Sequence, residues 1–364
     1  MKILRICYEY PEPWDGLTPG PFEISRHQLN LGHNIFFLAG GSSKSKIYNF
    51  SKDIKIKRFG KSFPIIGPVL VSLKILIFII NNDLFKSYDI IHGHGHLPLF
   101  VHLYLLFFKK YRKKYVLHLH ITAKGRSNKL PFIPSIKYIL KYIFEWNFHK
   151  ISDFLGLVVA NKVICCSKSV KNEALKIKER KFEVVENGVN TNLFKFSKKE
   201  TLNNFLYIGA FSERKRINLI INFLNKFSSE KKYKINLTLV GNGKLVINKT
   251  ENNFFKITKL GYIEYLNLPK IYKKNDVFIL LSSYEGLPKV ILEALSSGLE
   301  IISTKSFKFK EDHRINWIEP NYKSFKNVLD NKLDKNNYGQ DNFDISWSKK
   351  VLEINKIYED CINS

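Results

Sequence analysis

Acidic residues are scarce in this chain: 32 Asp and Glu stand against 59 Lys and Arg, a formal net charge of +27. Such a balance favours anionic partners, whether nucleotide phosphates, anionic lipid headgroups or nucleic acid. Part of it reflects a residue usage heavy in lysine, asparagine and isoleucine. The basic residues are dispersed rather than gathered in one stripe, and no nucleic-acid-binding module is present, so nucleic acid is not expected as a partner. Cysteine is rare as well. Cys7, Cys165, Cys166 and Cys361 have the spacing of neither a metal-ligand set nor a disulfide framework, which leaves a reducing compartment as the expectation. A long uninterrupted apolar run is also lacking. The nearest, Phe63 to Ile80, contains Gly67, Pro68 and Lys74, which makes a poor bilayer span, and it is read as a buried helix in preference to an interfacial one. Met1 to Cys7 is apolar, but Tyr8, Glu9 and two prolines interrupt it before a secretory h-region can form.

What is present is enough for two cores. The chain has 364 residues, 45% of them hydrophobic and 25% charged, which excludes disorder by composition. Lys2 to Tyr8 reads as a buried strand. A Pro/Gly loop and a helical stretch ended by Gly32 follow, and Asn34 to Ala39 reads as the next strand. Further strand patterns lie at Asp89–His92, Tyr115–His120, Lys162–Cys166 and Phe182–Val185. After the turn Asn187-Gly188-Val189-Asn190 the pattern restarts. Strands are predicted at Phe205–Ile208, Ile235–Val240, Lys256–Lys259, Val277–Leu281 and Glu300–Ser303, with helices at Asn218–Phe227, Leu266–Lys273 and Pro288–Ser297. Strands alternating with helices predict parallel sheets covered on both faces, so the fold class is α/β, with two doubly wound domains joined near residues 187–204. Ligands in such sheets lie at the carboxyl ends of the strands, and the cleft between domains is the expected site.

The segment richest in chemistry is Ser282-Ser-Tyr-Glu-Gly-Leu-Pro-Lys-Val-Ile-Leu-Glu-Ala-Leu295. An apolar strand runs into a polar loop, and Pro288 suits the first position of a helix. The amides of Gly286 and Leu287 then face the positive end of that helix, a place for a diphosphate, and glycine lets the backbone approach closely. Glu285 at the strand end and Glu293 on the helix are suited to vicinal sugar or ribose hydroxyls. The plainer reading of Glu293 is a pair with Lys289 one turn earlier.

Two carboxylates eight positions apart, preceding Ala-Leu-x-x-Gly, resemble the Glu-x7-Glu element of the retaining glycosyltransferases of family 4, which have the GT-B fold of two Rossmann-like domains facing a central cleft. Other segments fall in that family's order. Gly32-His-Asn-Ile35, Asp89-Ile-Ile-His-Gly-His94, Tyr115-Val-Leu-His-Leu-His120, Val184-Val-Glu-Asn-Gly-Val-Asn190, Gly241-Asn-Gly243 and Phe343-Asp-Ile-Ser-Trp347 each resemble one of its motifs. The resemblance spans nearly the whole chain. It implies an acceptor-side domain over residues 1–190, with a final helix over 346–364 packing back on it, and a donor-binding domain over 200–345.

The implied activity is sugar transfer from a nucleotide sugar, such as a UDP- or GDP-sugar, with retention and without a divalent metal or other cofactor; no Asp-x-Asp motif is present, in agreement. The expected acceptor is a glycan or a lipid-linked, membrane-associated molecule. The expected setting is cell-envelope glycan biosynthesis in the cytoplasm, with peripheral contact to an anionic membrane. By resemblance, Glu285 contacts the donor sugar, Glu293 the ribose, and Lys215 the diphosphate, with Arg214 and Arg216 flanking it. His120 faces the donor sugar from the other domain, although His92, His94, His96 and His118 are rivals by residue type. Gly16 matches the second glycine of the family's first loop, while Asp15 replaces the first. Two departures stand out. Ala210 occupies a position where the family usually has arginine, and Lys305 to Arg314 is basic and glycine-free where the family has a glycine-rich loop. They leave open a catalytically degenerate partner protein as the alternative.

Overall fold

The computed structural model describes residues 1–9, 20–40, 47–51, 54–59, 67–123, 136–199, 201–244, 252–309, 312–335 and 344–363. The chain divides into two compact units. One holds Met1–Glu12, Pro19–Asn187 and Trp347–Ser364; the other is built mainly from Gly188–Ser346.

The N-terminal unit carries eight strands: β1 (Lys2–Glu9), β2 (Asn34–Gly40), β3 (Ile47–Ser51), β4 (Ile54–Arg58), β5 (Ile90–His94), β6 (Tyr115–Leu119), β7 (Lys162–Cys165) and β8 (Glu183–Val184). They form one sheet in the order β3-β4-β2-β1-β5-β6-β7-β8. Only β3 and β4 pair antiparallel. Strand alternation sorts the apolar side chains into two cores. Leu4, Ile6, Leu38 and Leu117 pack under the helices Gly67–Asn81, Leu99–Phe107 and Ile136–Val159. Ile3, Cys7, Phe37 and Val116 pack on the other face with Trp347, Val351 and Ile354 of the last helix, Trp347–Ile362. Of the stretch read as a buried helix, Phe63 to Ile66 lie outside the described residues, and the rest is half right. In Gly67–Asn81 the residues Val71, Ile75 and Ile79 are buried, whereas Ile77 and Ile80 are exposed. Its spacing buries one stripe, and the apolar residues on the remaining face stay in solvent.

The C-terminal unit holds β9 (Asn204–Ile208), β10 (Ile235–Val240), β11 (Phe255–Gly261), β12 (Val277–Leu280), β13 (Glu300–Thr304) and β14 (Ile315–Ile318). All pairs are parallel, in the order β11-β10-β9-β12-β13-β14. The chain winds outward from β9 through β10 and β11, then crosses to β12 and winds the other way. The strand order therefore reverses between β9 and β12, the place where such sheets open a ligand crevice. Strand β14 was not anticipated, because Ile-Asn-Trp-Ile among basic residues carries little alternation. Two glycines fix the loops over this crevice. A Cβ on Gly241 (φ +133°) would lie 2.0 Å from the Gly209 carbonyl oxygen, and one on Gly243 (φ +141°) 2.4 Å from that of Phe211. Neither position has room for any other residue.

Candidate active site

At the reversal point the loops after β9 and β12 meet. The first, Gly209 to Arg216, makes a short helical turn over Glu213–Lys215 and enters the helix Ile217–Lys231. The Ser283 amide donates to the Arg214 carbonyl (2.9 Å), and the Arg214 guanidinium donates to the Tyr284 carbonyl. Those bonds hold the loops together so that three charged side chains converge. Glu285 Oε1 accepts from Lys215 Nζ at 2.6 Å and from Arg214 Nη1 at 2.9 Å. Glu285 and Lys215 are buried, and Arg214 is partly exposed. Burial lowers the Lys215 ammonium below its ordinary range, a shift the Glu285 carboxylate opposes. Two cations and one carboxylate leave the cluster with a net positive charge, the sign that a diphosphate requires.

The helix after this loop begins at Lys289, with Pro288 just ahead of it rather than inside it. Pro288, its N-cap residue, makes no side-chain cap bond. Gly286 and Leu287 immediately precede it. The Glu285 amide donates to the Ser306 carbonyl (2.9 Å). Ser306 belongs to the loop that lacks the family's glycines. Phe307 and Phe309 are buried, and Phe307 packs edge-on to Trp317 with ring centroids 5.1 Å apart. A hydrophobic anchor therefore replaces glycine turns and still fixes the backbone of Glu285.

Glu293 is buried, and its Oε2 accepts from the Tyr272 hydroxyl at 2.9 Å. Tyr272 is enclosed by Phe194 and Phe278. Sequence reasoning missed Tyr272, because a tyrosine in an apolar helix pattern reads as core. Ala210 is exposed, and its carbonyl accepts from Tyr207. Of the two arginines that flank Lys215, Arg214 reaches Glu285, whereas Arg216 sits in left-handed backbone (φ 51°) at the head of the next helix.

In the N-terminal unit, parallel register explains a histidine cluster. Arg5 lies beside His92, and His94 beside His118. Alternation then turns Arg5, His92, His94, His118 and His120 to one face. The imidazoles crowd together, with centroids 4.1 Å apart for the tilted pair His92 and His94 and 4.3 Å for the stacked pair His118 and His120. His92, His94 and His118 are buried; His120, one residue beyond β6, is partly exposed and shares a 3.0 Å hydrogen bond with His94. That exposure separates His120 from His118, which spacing could not do. Tyr358 of the last helix bonds His92 Nδ1 and lies 3.4 Å from the Arg5 guanidinium. Burial, and then neighbouring charge from Arg5 and the other histidines, holds His92, His94 and His118 well below the usual imidazole range. One nitrogen from each of these three lies within 4.8 Å of the others, a spacing that suits a metal. The Arg5 guanidinium on the same face opposes a divalent cation there. His96 stands apart, 2.9 Å from Asp153. Gly16 lies outside the described residues.

Two family models match, Glycosyltransferase Family 4 over residues 15–193 and Glycosyl transferases group 1 over residues 189–316. Between them they run without a gap from residue 15 to 316, and the chain belongs to the GT-B glycosyltransferases. It is 26% identical to an uncharacterised glycosyltransferase of Methanocaldococcus jannaschii over 64% of this chain and 63% of that relative, so the match spans under two thirds of the relative's length. It is 26% identical to the O-antigen biosynthesis glycosyltransferase WbnH of Escherichia coli over 42% of this chain and 44% of that one. The sucrose-phosphate synthase of Thermosynechococcus elongatus shares the fold, with a TM-score of 0.76 at 14% identity over 99% of this chain and 98% of that one.

Proposed function

We propose that this chain is an active retaining glycosyltransferase that moves a sugar from a nucleoside-diphosphate donor to a glycan or lipid-linked acceptor without a metal. The observation that carries the reading is the convergence of Arg214, Lys215 and Glu285 at the β9/β12 reversal, just ahead of the helix that begins at Lys289. As the bond between the anomeric carbon and the diphosphate breaks and one to the acceptor oxygen forms, negative charge gathers on the leaving diphosphate. Lys215 and Arg214 supply fixed positive charge there, which is the role a metal fills in other transferases. Until donor arrives, Glu285 neutralises both cations in part; when the diphosphate takes over that task, the carboxylate is released to the sugar hydroxyls. The amides at Gly286 and Leu287 complete the anion site. Glu293, held by Tyr272, receives the ribose. Resemblance assigns His120 to the transferred sugar and Gly16 to the diphosphate. The envelope-glycan setting rests on the likeness to WbnH, and a cytoplasmic, membrane-peripheral location on the net charge and the cysteine usage. Among the described residues no helix is long and apolar enough to cross a membrane.

Ala210 favours the second reading, a degenerate partner protein, since the family's arginine is missing there. Placement of Arg214 on Glu285 supports the active one. A thermal-shift panel of UDP-, GDP- and ADP-sugars separates them. One donor should stabilise the wild type, since a ligand at about 100 times its Kd adds about 2.7 kcal/mol. Lys215→Ala should cut that shift by about half or more. Glu285→Gln should keep the shift with the free nucleoside diphosphate and lose transfer. A wild type that responds to no donor establishes the degenerate reading.

A further inference from the structure

The helix Leu99–Phe107 ends in a sequence that the proposed chemistry does not use: Phe107-Phe-Lys-Lys-Tyr-Arg-Lys-Lys114. Phe107 is 82% exposed, more than any other large hydrophobic residue among those described, and Phe108 is 44% exposed. Isolated apolar residues on a surface are ordinary, but these are not isolated. The helix Gly67–Asn81 packs beside this one, and it exposes Ile77 and Ile80 near its own C-terminus. Each helix runs back toward the start of the next strand, β5 and β6 respectively. Both apolar ends therefore lie at the edge of the sheet where strands begin, opposite the end that carries His94 and His120.

Charge surrounds the exposed phenylalanines. Lys109, Lys110 and Lys113 are exposed, while Arg112 and Lys114 are tied to the carbonyls of Leu105 and Tyr88 and hold the turn in shape. The nearest acids in sequence are engaged, Asp89 by the Lys2 amide at 2.7 Å and Asp83 by Lys86 at 3.1 Å; the last helix, which packs against this turn, brings the exposed Glu359 and Asp360, fewer than the five cations of Lys109 to Lys114. The segment thus presents two aromatic rings and a local excess of positive charge on a turn fixed by its own hydrogen bonds. Phenylalanine among lysines is poorly matched to a protein surface of mixed charge. It is well matched to an interface where rings enter the acyl boundary and ammonium groups meet anionic headgroups.

We infer that Phe107, Phe108, Lys109, Lys110 and Lys113, with Ile77 and Ile80 beside them, form the surface by which this protein docks on an anionic phospholipid membrane. The inference deepens the membrane-associated part of the proposed function by naming the surface and its partner; donor binding does not depend on it.

Co-sedimentation of the full-length chain with vesicles of phosphatidylcholine alone, and of phosphatidylcholine mixed with phosphatidylserine, tests it at low and high salt. The wild type should bind the anionic vesicles and release at high salt. Lys109→Ala, Lys110→Ala and Lys113→Ala together should weaken binding about 100-fold, at about fivefold per lysine. Phe107→Ser with Phe108→Ser should weaken it about tenfold. An equal charge loss in the other unit, at exposed Lys232, Lys234 and Lys256, should change it by less than about threefold if docking is local. The inference is overturned if the wild type ignores anionic vesicles at low salt, if the control triple variant loses as much as the first, or if the phenylalanine pair changes nothing. Thermal shift by nucleotide sugar, measured on every variant, should stay at the wild-type value. It confirms folding and keeps failure of docking distinct from failure of the donor reading.

Discussion

Mild acid should unfold the N-terminal unit. His102 is fully buried, its Nε2 lies 2.6 Å from the Tyr115 hydroxyl, and burial pushes its pKa down to about 3. His92, His94 and His118 are displaced in the same direction, in each case chiefly by burial. In the unfolded chain all four titrate near their ordinary 6.5. As pH falls below that value the unfolded state takes up protons that the native state refuses, so stability drops. For His102 the loss continues until the pH approaches about 3. Between pH 7.5 and 5.5 each such histidine removes about 1.3 kcal/mol, and four together about 5 kcal/mol. That is comparable to the whole stability of an ordinary domain. His27 and His33, lowered to a smaller degree, add in the same sense. Urea unfolding at the two pH values is the assay. The midpoint of the N-terminal transition should fall steeply, and His118→Leu should flatten the dependence by about a quarter. An unchanged midpoint across this interval refutes buried neutral histidines in this unit. A slope that His118→Leu leaves intact refutes the assignment of His118.

Four further outcomes follow from individual contacts. Lys215→Ala should weaken nucleoside diphosphate binding by about 1.5–3 kcal/mol, the worth of a charge-assisted hydrogen bond, measured by calorimetry; unchanged affinity removes Lys215 from the donor site. Tyr272→Phe deprives Glu293 of the donor 2.9 Å away and should raise KM for the nucleotide sugar more than it lowers kcat, whereas a merely structural role predicts a lower Tm with KM unchanged. Gly241→Ala places a methyl 2.0 Å from the Gly209 carbonyl oxygen and should cost about 3 kcal/mol or more, read from urea denaturation. The four cysteines are all buried, and burial lifts Cys166 to about 12 and Cys361 to about 11, so iodoacetamide at pH 8 should label none of them until the protein is denatured.

The amino-acid sequence alone determined the α/β class, most of the central strands and the family, because buried parallel strands read as short apolar runs and the Glu285–Glu293 spacing is set by one local strand-loop-helix unit. It placed Gly32 at the end of the first helix and Ile235–Val240 as a strand, both as observed. What it could not supply was anything set by contact between distant segments. That Arg214, rather than Arg216, reaches Glu285 depends on how the β9 and β12 loops meet, the two residues being 71 apart in the chain. Tyr272 holds Glu293 through packing of two helices, and the glycine-free loop fixes Glu285 by burying Phe307 and Phe309, neither of which has a local pattern. Strand alternation gave His118 and His120 a common face; only the point where β6 stops left one enclosed and the other within reach of solvent. Composition likewise announced a basic chain, while the fold decided that Phe107 and Phe108 stand exposed among three lysines, since which side of a helix meets the sheet is settled by its neighbours.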